Sequence, residues 1–365
     1  MAQDRYRVAI VGAGMIANAG HIPAWRDLGD EIEIVGVANI HIGKAQKTAE
    51  RYDIPHAYSD TERMLKELEP DIVSICTPNV YHKEGTLAAL AAGAHVLCEK
   101  PVAPNYDDAK EMFEAAEEAD RLLCVAQTIR FSSESVAAKE IVDAGRLGEI
   151  YYAETSSMRR RGVPTWGTFH MEEHAGGGAL CDIGVHSLDL LLWIMGNPRV
   201  VAASGQTYTK LANRDEGLVT SLVDSGAPVG VFTPRPYDPD EFDVEDMAAG
   251  FLRLENGCTI SLKASWAANV PQGYGGTIIL GTEGGLTLDP LTLIGTMDRY
   301  QVDVKPKVPA DPDMPFYGHW KLTAHFLRSI KGEEDLLVKK EGVLNVTRAL
   351  EGLYRSAEEG HEMRF

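Results

Sequence analysis

Arg7-Val-Ala-Ile-Val11 is an apolar run that passes without a spacer into Gly12-Ala-Gly-Met-Ile-Ala17 and then into a helix-like segment. A strand that turns straight into a helix needs a sheet beside it, and the next hundred or so residues carry the pattern of one. Strand candidates at Arg7–Val11, Glu31–Ala38, Asp71–Thr77, His95–Cys98 and Leu122–Gln127 alternate with helix candidates at Gly43–Tyr52, Thr61–Leu68, Lys83–Ala92 and Asp107–Ala119. Such alternation predicts a mostly parallel, doubly wound α/β sheet. Apolar runs such as Ile72-Val-Ser-Ile-Cys76 suit strands covered on both faces.

After Phe131 the pattern changes. Ser133–Ala144 reads as a helix, Ile150–Ser156 as a strand, and Ala179–Met195 as a helix entered through Gly176-Gly-Gly178. Alternating runs at Val200–Tyr208, Met247–Leu254, Thr259–Trp266 and Thr277–Gly281 predict a mixed or antiparallel sheet, one face of which another subunit could cover. Helices at Trp320–Ile330 and Gly342–Glu358 close the chain, and the proline-rich stretches Pro234–Asp240 and Pro306–Pro315 read as loops. With 365 residues the expectation is two domains, divided as 1–130 and 131–365.

The glycine-containing turn has the form of a dinucleotide site. A pyrophosphate beside a helix N-terminus gains from free N–H groups and the helix dipole. Gly12 permits the tight turn, Gly14 lets the backbone approach the phosphates, and Ala17 stands where a third glycine packs helix on strand. A plain strand–helix turn is the alternative. The second strand ends at Asn39, where an acidic residue would bind an NAD ribose; asparagine and the nearby Lys44 leave NADP open as well. Thr77-Pro-Asn79 and His82 follow the carboxyl end of a strand, so Asn79 and His82 either edge a nicotinamide or form a helix-capping turn.

Two further motifs carry reactive groups. In Glu99-Lys100-Pro101 the lysine lies just past a strand, where it could bridge cofactor and substrate oxygen and stabilise an alkoxide with Glu99 orienting it; Glu99 and Lys100 are both candidate cofactor contacts. Asp182 and His186 are four residues apart, so on a helix they share a face, which Asp189 extends. Histidine suits the removal of a hydroxyl proton near neutral pH. Each motif also has a bland reading, a surface turn for the first and a packed histidine for the second. His170-Met-Glu-Glu-His174 fits H-x-x-E-H, a zinc-protease pattern, but needs both histidines on one helical face, and no metal is expected there.

A formal charge of −19 repels phosphates and anionic membranes, so neither nucleic acid nor membrane is an expected partner. The five cysteines lack C-x-x-C spacing, and Cys76, Cys98 and Cys124 lie in apolar runs. No signal-peptide core precedes the first strand and no apolar stretch approaches membrane-spanning length, which gives a cytoplasmic expectation.

Taken together, Gly12-Ala-Gly-Met15-Ile16-Ala17, Thr77-Pro78-Asn79 with His82, His95-Val-Leu-Cys-Glu-Lys-Pro101 and Gly176-Gly-Gly-Ala-Leu-Cys-Asp-Ile-Gly-Val-His186 resemble the Gfo/Idh/MocA oxidoreductases. The resemblance implies an N-terminal Rossmann domain and a C-terminal α/β domain with a large open sheet, often used to build a homodimer or homotetramer. It implies a catalytic set of Lys100, Asp182 and His186. It also implies a cofactor, NAD or NADP with NAD the first expectation and in some members held between turnovers. The expected reaction moves a hydride between that cofactor and a secondary alcohol or ketone of a sugar, glycoside or cyclitol. Arg130, Arg159, Arg161, Trp166 and His170 are candidate sugar contacts. Reduction of a small ketone, oxidation of a dihydrodiol, and a non-catalytic nucleotide sensor are the rival readings.

Overall fold

The computed structural model of the chain describes residues 5–214, 216–219, 224–227 and 229–365. It divides into two compact units, each treated by itself below.

The first unit comprises Met1–Thr128, Ala227–Arg235 and Pro312–Lys340. Among its described residues, six parallel strands form one sheet: β1 (Tyr6–Val11), β2 (Ile32–Ala38), β3 (Ala57–Tyr58), β4 (Ile72–Ile75), β5 (His95–Cys98) and β6 (Leu123–Val125). Their order is β3-β2-β1-β4-β5-β6. The order reverses between β1 and β4, so the carboxyl ends of those two strands flank the crevice where open α/β sheets bind ligands. Val8, Ile10, Val37, Ile72, Val96 and Leu97 are buried, as strands with helices on both faces require. The short β3 has no apolar run to announce it.

The two later segments of this unit fall within the 131–365 region drawn from the sequence, yet they pack on the parallel-sheet unit. Phe232 lies beneath the Arg51 guanidinium at 3.5 Å, and the helix Tyr317–Ile330 buries Leu322 and Phe326. Chain order alone cannot show such a return.

The second unit comprises Ile129–Gly226, Pro236–Asp311 and Glu341–Phe365. Its strands are β7 (Ile150–Met158), β8 (Val200–Tyr208), β9 (Met247–Leu254), β10 (Thr259–Ser265), β11 (Gly275–Gly281), β12 (Gly285–Leu288), β13 (Thr292–Met297), β14 (Tyr300–Val304) and β15 (Met363–Arg364). They form one mixed sheet in the order β14-β13-β12-β11-β7-β10-β9-β8-β15, with β7 and β10 parallel and the other neighbours antiparallel. One face packs Leu252, Ile260 and Ile279 against Leu188, Leu191 and Leu192 of the helix Val185–Ile194 and Val346 and Leu350 of the helix Lys340–Glu359. On the other face Tyr208 and Phe251 remain partly exposed.

One expectation needs correction. The helical stretch Glu172–Ile194 is long and apolar enough to cross a membrane by length and composition. It is instead 72% buried over its most apolar window, and Gly176 interrupts it in the left-handed region at φ 67°. It is the core helix of this unit.

Candidate active site

In the first unit β1 ends at Val11 and the chain turns at Gly12, whose φ is 97°. A Cβ there would stand 2.5 Å from the Cys76 carbonyl oxygen, so only glycine lets the turn lie against the end of β4. Gly14 differs. It is exposed, and a Cβ on it would meet nothing within 4 Å. That open space above a helix start is what a pyrophosphate needs, with the first helical N–H groups of Met15 and Ile16 having no partner inside the helix. Asn18, which the sequence reading passed over, fastens the turn: its side-chain N–H groups donate to the carbonyls of Ala13 (3.2 Å) and Gly14 (2.7 Å). An asparagine following a glycine turn is not by itself a signal.

The residues present therefore fit a dinucleotide. Gly14→Ala should leave thermal stability unchanged and weaken cofactor binding about tenfold or more, about 1.4 kcal/mol. Titration with NAD⁺ and NADP⁺ checks this, and unaltered affinity would take the pyrophosphate away from Gly14. Beyond β2, the Asn39 side chain accepts the His41 N–H at 2.9 Å, and Lys44 is exposed on the helix Ile42–Tyr52.

At the ends of β4 and β5 the predicted residues separate into two kinds. Thr77, Pro78 and Asn79 keep partial exposure and Lys100 is half-buried. His82 and Glu99 are buried and spent on the protein. His82 places Nδ1 2.8 Å from the Pro101 carbonyl and Nε2 3.0 Å from the Thr77 carbonyl, bracing the two loops. Both partners are acceptors, so the ring satisfies both at once only as imidazolium, against which its burial acts. Glu99 is held by His21, His319 and the Lys100 N–H. Neither side chain is turned outward to a cofactor.

In the second unit Asp182 lies in a π-helical turn, Leu180–Gly184, and His186 in the α-helix that continues it; both are partly exposed. Such π turns recur at functional sites because they re-aim side chains within a helix. Asp182 Oδ2 accepts the indole N–H of the fully buried Trp266 at 2.9 Å. Trp266 was read only as the end of a strand; its alternation marks it as core and says nothing of its N–H.

The triple glycine earlier in the same segment has a packing cause. A Cβ on Gly177 would sit 2.4 Å from the Tyr354 hydroxyl, and one on Gly178 would sit 2.0 Å from the Glu245 carbonyl oxygen. Glu245 in turn accepts the N–H groups of Gly178 and Leu180, each at 2.8 Å, and the Tyr354 hydroxyl at 2.9 Å. Burial, partly offset by those donors, lifts its carboxyl above the usual range.

The candidate sugar contacts are placed unequally. Arg130 is buried and its guanidinium makes a two-point pair with the buried Asp189, at 2.7 and 2.6 Å, so each occupies the other. Arg159 donates to the Gly162 carbonyl of its own loop (3.0 Å), whereas Arg161 donates to the Ala268 carbonyl (3.2 Å) and the Asn269 side chain (2.8 Å), joining that loop to the segment after β10. Trp166 donates to Ser225 (2.9 Å) and sets its ring against Phe169. His170 is buried against the rings of Tyr237 and Phe242, whereas His174 stands partly exposed, 3.4 Å from Glu173. The H-x-x-E-H pattern is thus divided between a core position and a short helix, Glu172–Ala175.

A glycine turn at the reversal point of a parallel sheet, with a lysine at the neighbouring strand end and an Asp–His pair on a helix of a second unit, defines a Rossmann-fold oxidoreductase. The chain belongs to the Gfo/Idh/MocA family: residues 6–127 match the oxidoreductase family, NAD-binding Rossmann fold, and residues 135–287 match the Gfo/Idh/MocA C-terminal domain. Over 99% of its length it is 32% identical to D-glucoside 3-dehydrogenase of Escherichia coli K12, covering 97% of that protein. Levoglucosan dehydrogenase of Pseudarthrobacter phenanthrenivorans is 27% identical over 70% of this chain and 64% of its own. In fold it is similar to an oxidoreductase domain protein from Kribbella flavida (TM-score 0.83, 20% identity, 99% of each chain). It is likewise similar to a levoglucosan dehydrogenase in complex with NADH and levoglucosan (TM-score 0.81, 21% identity, 99% of each chain).

Proposed function

We propose that this enzyme oxidises a secondary ring hydroxyl of a glucoside, or reduces the corresponding ketone, with NAD as the cofactor. The observation that carries the reading is the Asp182–His186 pair, with Asp182 oriented by Trp266, in a chain that is similar from end to end to a glucoside dehydrogenase. A sensor that only bound nucleotide would not require an oriented carboxylate beside a partly exposed histidine.

In this reading His186 takes the hydroxyl proton while the carbon-bound hydrogen departs with its electron pair. Lys100 stabilises the alkoxide as it forms, and Asp182 grips a neighbouring sugar hydroxyl or His186. When bound, the nicotinamide supplies the acceptor for that hydride. The Thr77-Pro78-Asn79 turn, with Gly12, Gly14, Met15 and Ile16, would line the cofactor, and Trp166 offers a ring for a sugar face. NAD is the first choice because the N-terminal unit matches an NAD-binding family model; the Asn39 carbonyl is taken by the His41 N–H, and its amide N–H groups would suit a ribose hydroxyl or a 2′-phosphate alike. A sugar substrate, a homodimer or homotetramer built on the exposed Tyr208–Phe251 sheet face, and a cytoplasmic site with five buried free thiols complete the proposal.

The test is reduced-nicotinamide absorbance with glucosides, free sugars and inositols, run with NAD⁺, with NADP⁺ and with neither. A signal with glucosides and NAD⁺ is expected. A protein that binds NAD⁺ but stays silent on every sugar would end the sugar reading, and a signal with NADP⁺ alone would reverse the cofactor.

A further inference from the structure

Glu99 sits at the end of β5, one residue before Lys100, and two elements distant in sequence converge on its carboxylate. His21 comes from the helical segment that follows the glycine turn, and His319 from the helix Tyr317–Ile330. Glu99 Oε1 lies 2.9 Å from His21 Nε2 and 3.0 Å from His319 Nε2. The other oxygen, Oε2, accepts the backbone N–H of Lys100 at 3.2 Å. All three side chains are buried, at 0%, 5% and 7% exposure for His21, His319 and Glu99. Room is made for this: a Cβ on Gly20 would press the His319 ring at 3.1 Å.

Two His and one Glu within reach of each other also have the composition of a metal site. The remaining ring nitrogens decide between the two chemistries. Among the described residues, neither His21 Nδ1 nor His319 Nδ1 has a hydrogen-bond partner. Metal-bound histidines donate the far N–H to an acceptor, and here both far N–H groups would be buried without one. With the proton on Nε2 in each ring, both donors reach the carboxylate and the bare Nδ1 atoms are left as lone pairs, a smaller penalty.

We propose that His21 and His319 are neutral, Nε2-protonated positioning residues that act through Glu99 on Lys100. They fix the Glu99 carboxylate, which fixes the Lys100 N–H, while His82 holds the Pro101 carbonyl from the other side. The backbone that projects the Lys100 ammonium is thereby gripped on both flanks. Charge agrees with this geometry. Burial would raise the Glu99 carboxyl, but the hydrogen bonds from His21 and His319, together with their electrostatic attraction, hold it well below the usual range, and burial lowers His21 against the pull of Glu99. The inference rests on Lys100 being catalytic, as proposed above.

Two measurements test it. In ¹⁵N-histidine NMR of the full-length protein without substrate, both rings should show the Nε2–H tautomer at neutral pH, and metal analysis should find no ion bound at the cluster. An Nδ1–H pattern, or a stoichiometric metal lost on substituting His21, would overturn the proposal whatever the enzyme acts on. In kinetics, His319→Phe keeps a ring but loses the donor and should lower kcat by about 10- to 100-fold through misplacement of Lys100. The KM should move little. His319→Gln, which restores an N–H near the Nε2 position, should recover most of the loss and melt close to the parent, with His319→Phe melting a few degrees lower but folded at the assay temperature. Equal kcat in parent and His319→Phe would sink the positioning role, as would a folded His319→Gln no better than His319→Phe. A parent silent on every sugar would instead count against the function proposed above and leave the tautomer test standing.

Discussion

His186→Asn is expected to lower kcat for glucoside oxidation by about 10²- to 10⁴-fold, the usual worth of a positioned general base, with KM little changed. His186 is partly exposed, so its exchange for a smaller polar side chain should leave the fold intact. Steady-state kinetics over pH 6 to 10 check it: if His186 takes the proton, the acid limb of the parent's kcat profile should vanish in the variant. An unchanged kcat would remove His186 from the chemistry. Asp182 should behave differently because its Oδ2 already accepts the Trp266 N–H. Trp266→Phe keeps an aromatic ring at this buried position but gives up the indole's second ring along with the N–H donor. It should therefore depress kcat less than His186→Asn does, by freeing Asp182 rather than removing a reacting group.

Much of this site could be read from the sequence, and the unread parts share a cause. Local constraints are written locally. The glycine turn, Lys100 after a strand, and the Asp182–His186 spacing each depend on a few consecutive residues, and the strand and helix periods place them on the correct elements. Partners that come from far along the chain leave no such mark. Glu99 and His82 looked like cofactor contacts because the motif sits at a strand end. His319, 220 residues beyond Glu99, is what claims the carboxylate, and two backbone carbonyls claim His82. Arg130 is a candidate sugar contact in the sequence, but Asp189, 59 residues on, pairs with its guanidinium at two points. The strands missed in the second unit, β12 to β15, are short (glycine and threonine interrupt β12 and β13, and β15 is two residues long), and they are strands because a neighbour pairs them.

Gly178→Ala should be the most damaging single-methyl change at the site. The added Cβ would stand 2.0 Å from the Glu245 carbonyl oxygen, and that oxygen belongs to backbone which cannot rotate away. The same carbonyl accepts the Ala179 N–H at 3.1 Å, and the Gly178 and Leu180 N–H groups reach the Glu245 carboxylate, so relieving the clash opens three hydrogen bonds together. Overpacking costs about 1–3 kcal/mol. Each bond to a charged group lost adds about 1.5–3 kcal/mol. With partial relaxation the net loss is about 4 kcal/mol, a fall of about 10 °C in Tm at about 2–4 °C per kcal/mol. Because Asp182 N–H bonds to the Gly178 carbonyl at 2.9 Å, the turn that aims Asp182 is the part displaced, so kcat should fall further than instability explains. Gly43→Ala is the control. A Cβ there meets nothing within 4 Å and it lies in the first turn of the helix Ile42–Tyr52, so melting should hold or rise slightly. If differential scanning calorimetry finds the two variants equally stable, the triple glycine is not there for packing, and a mobile loop at Gly176–Gly178 becomes the better account of it.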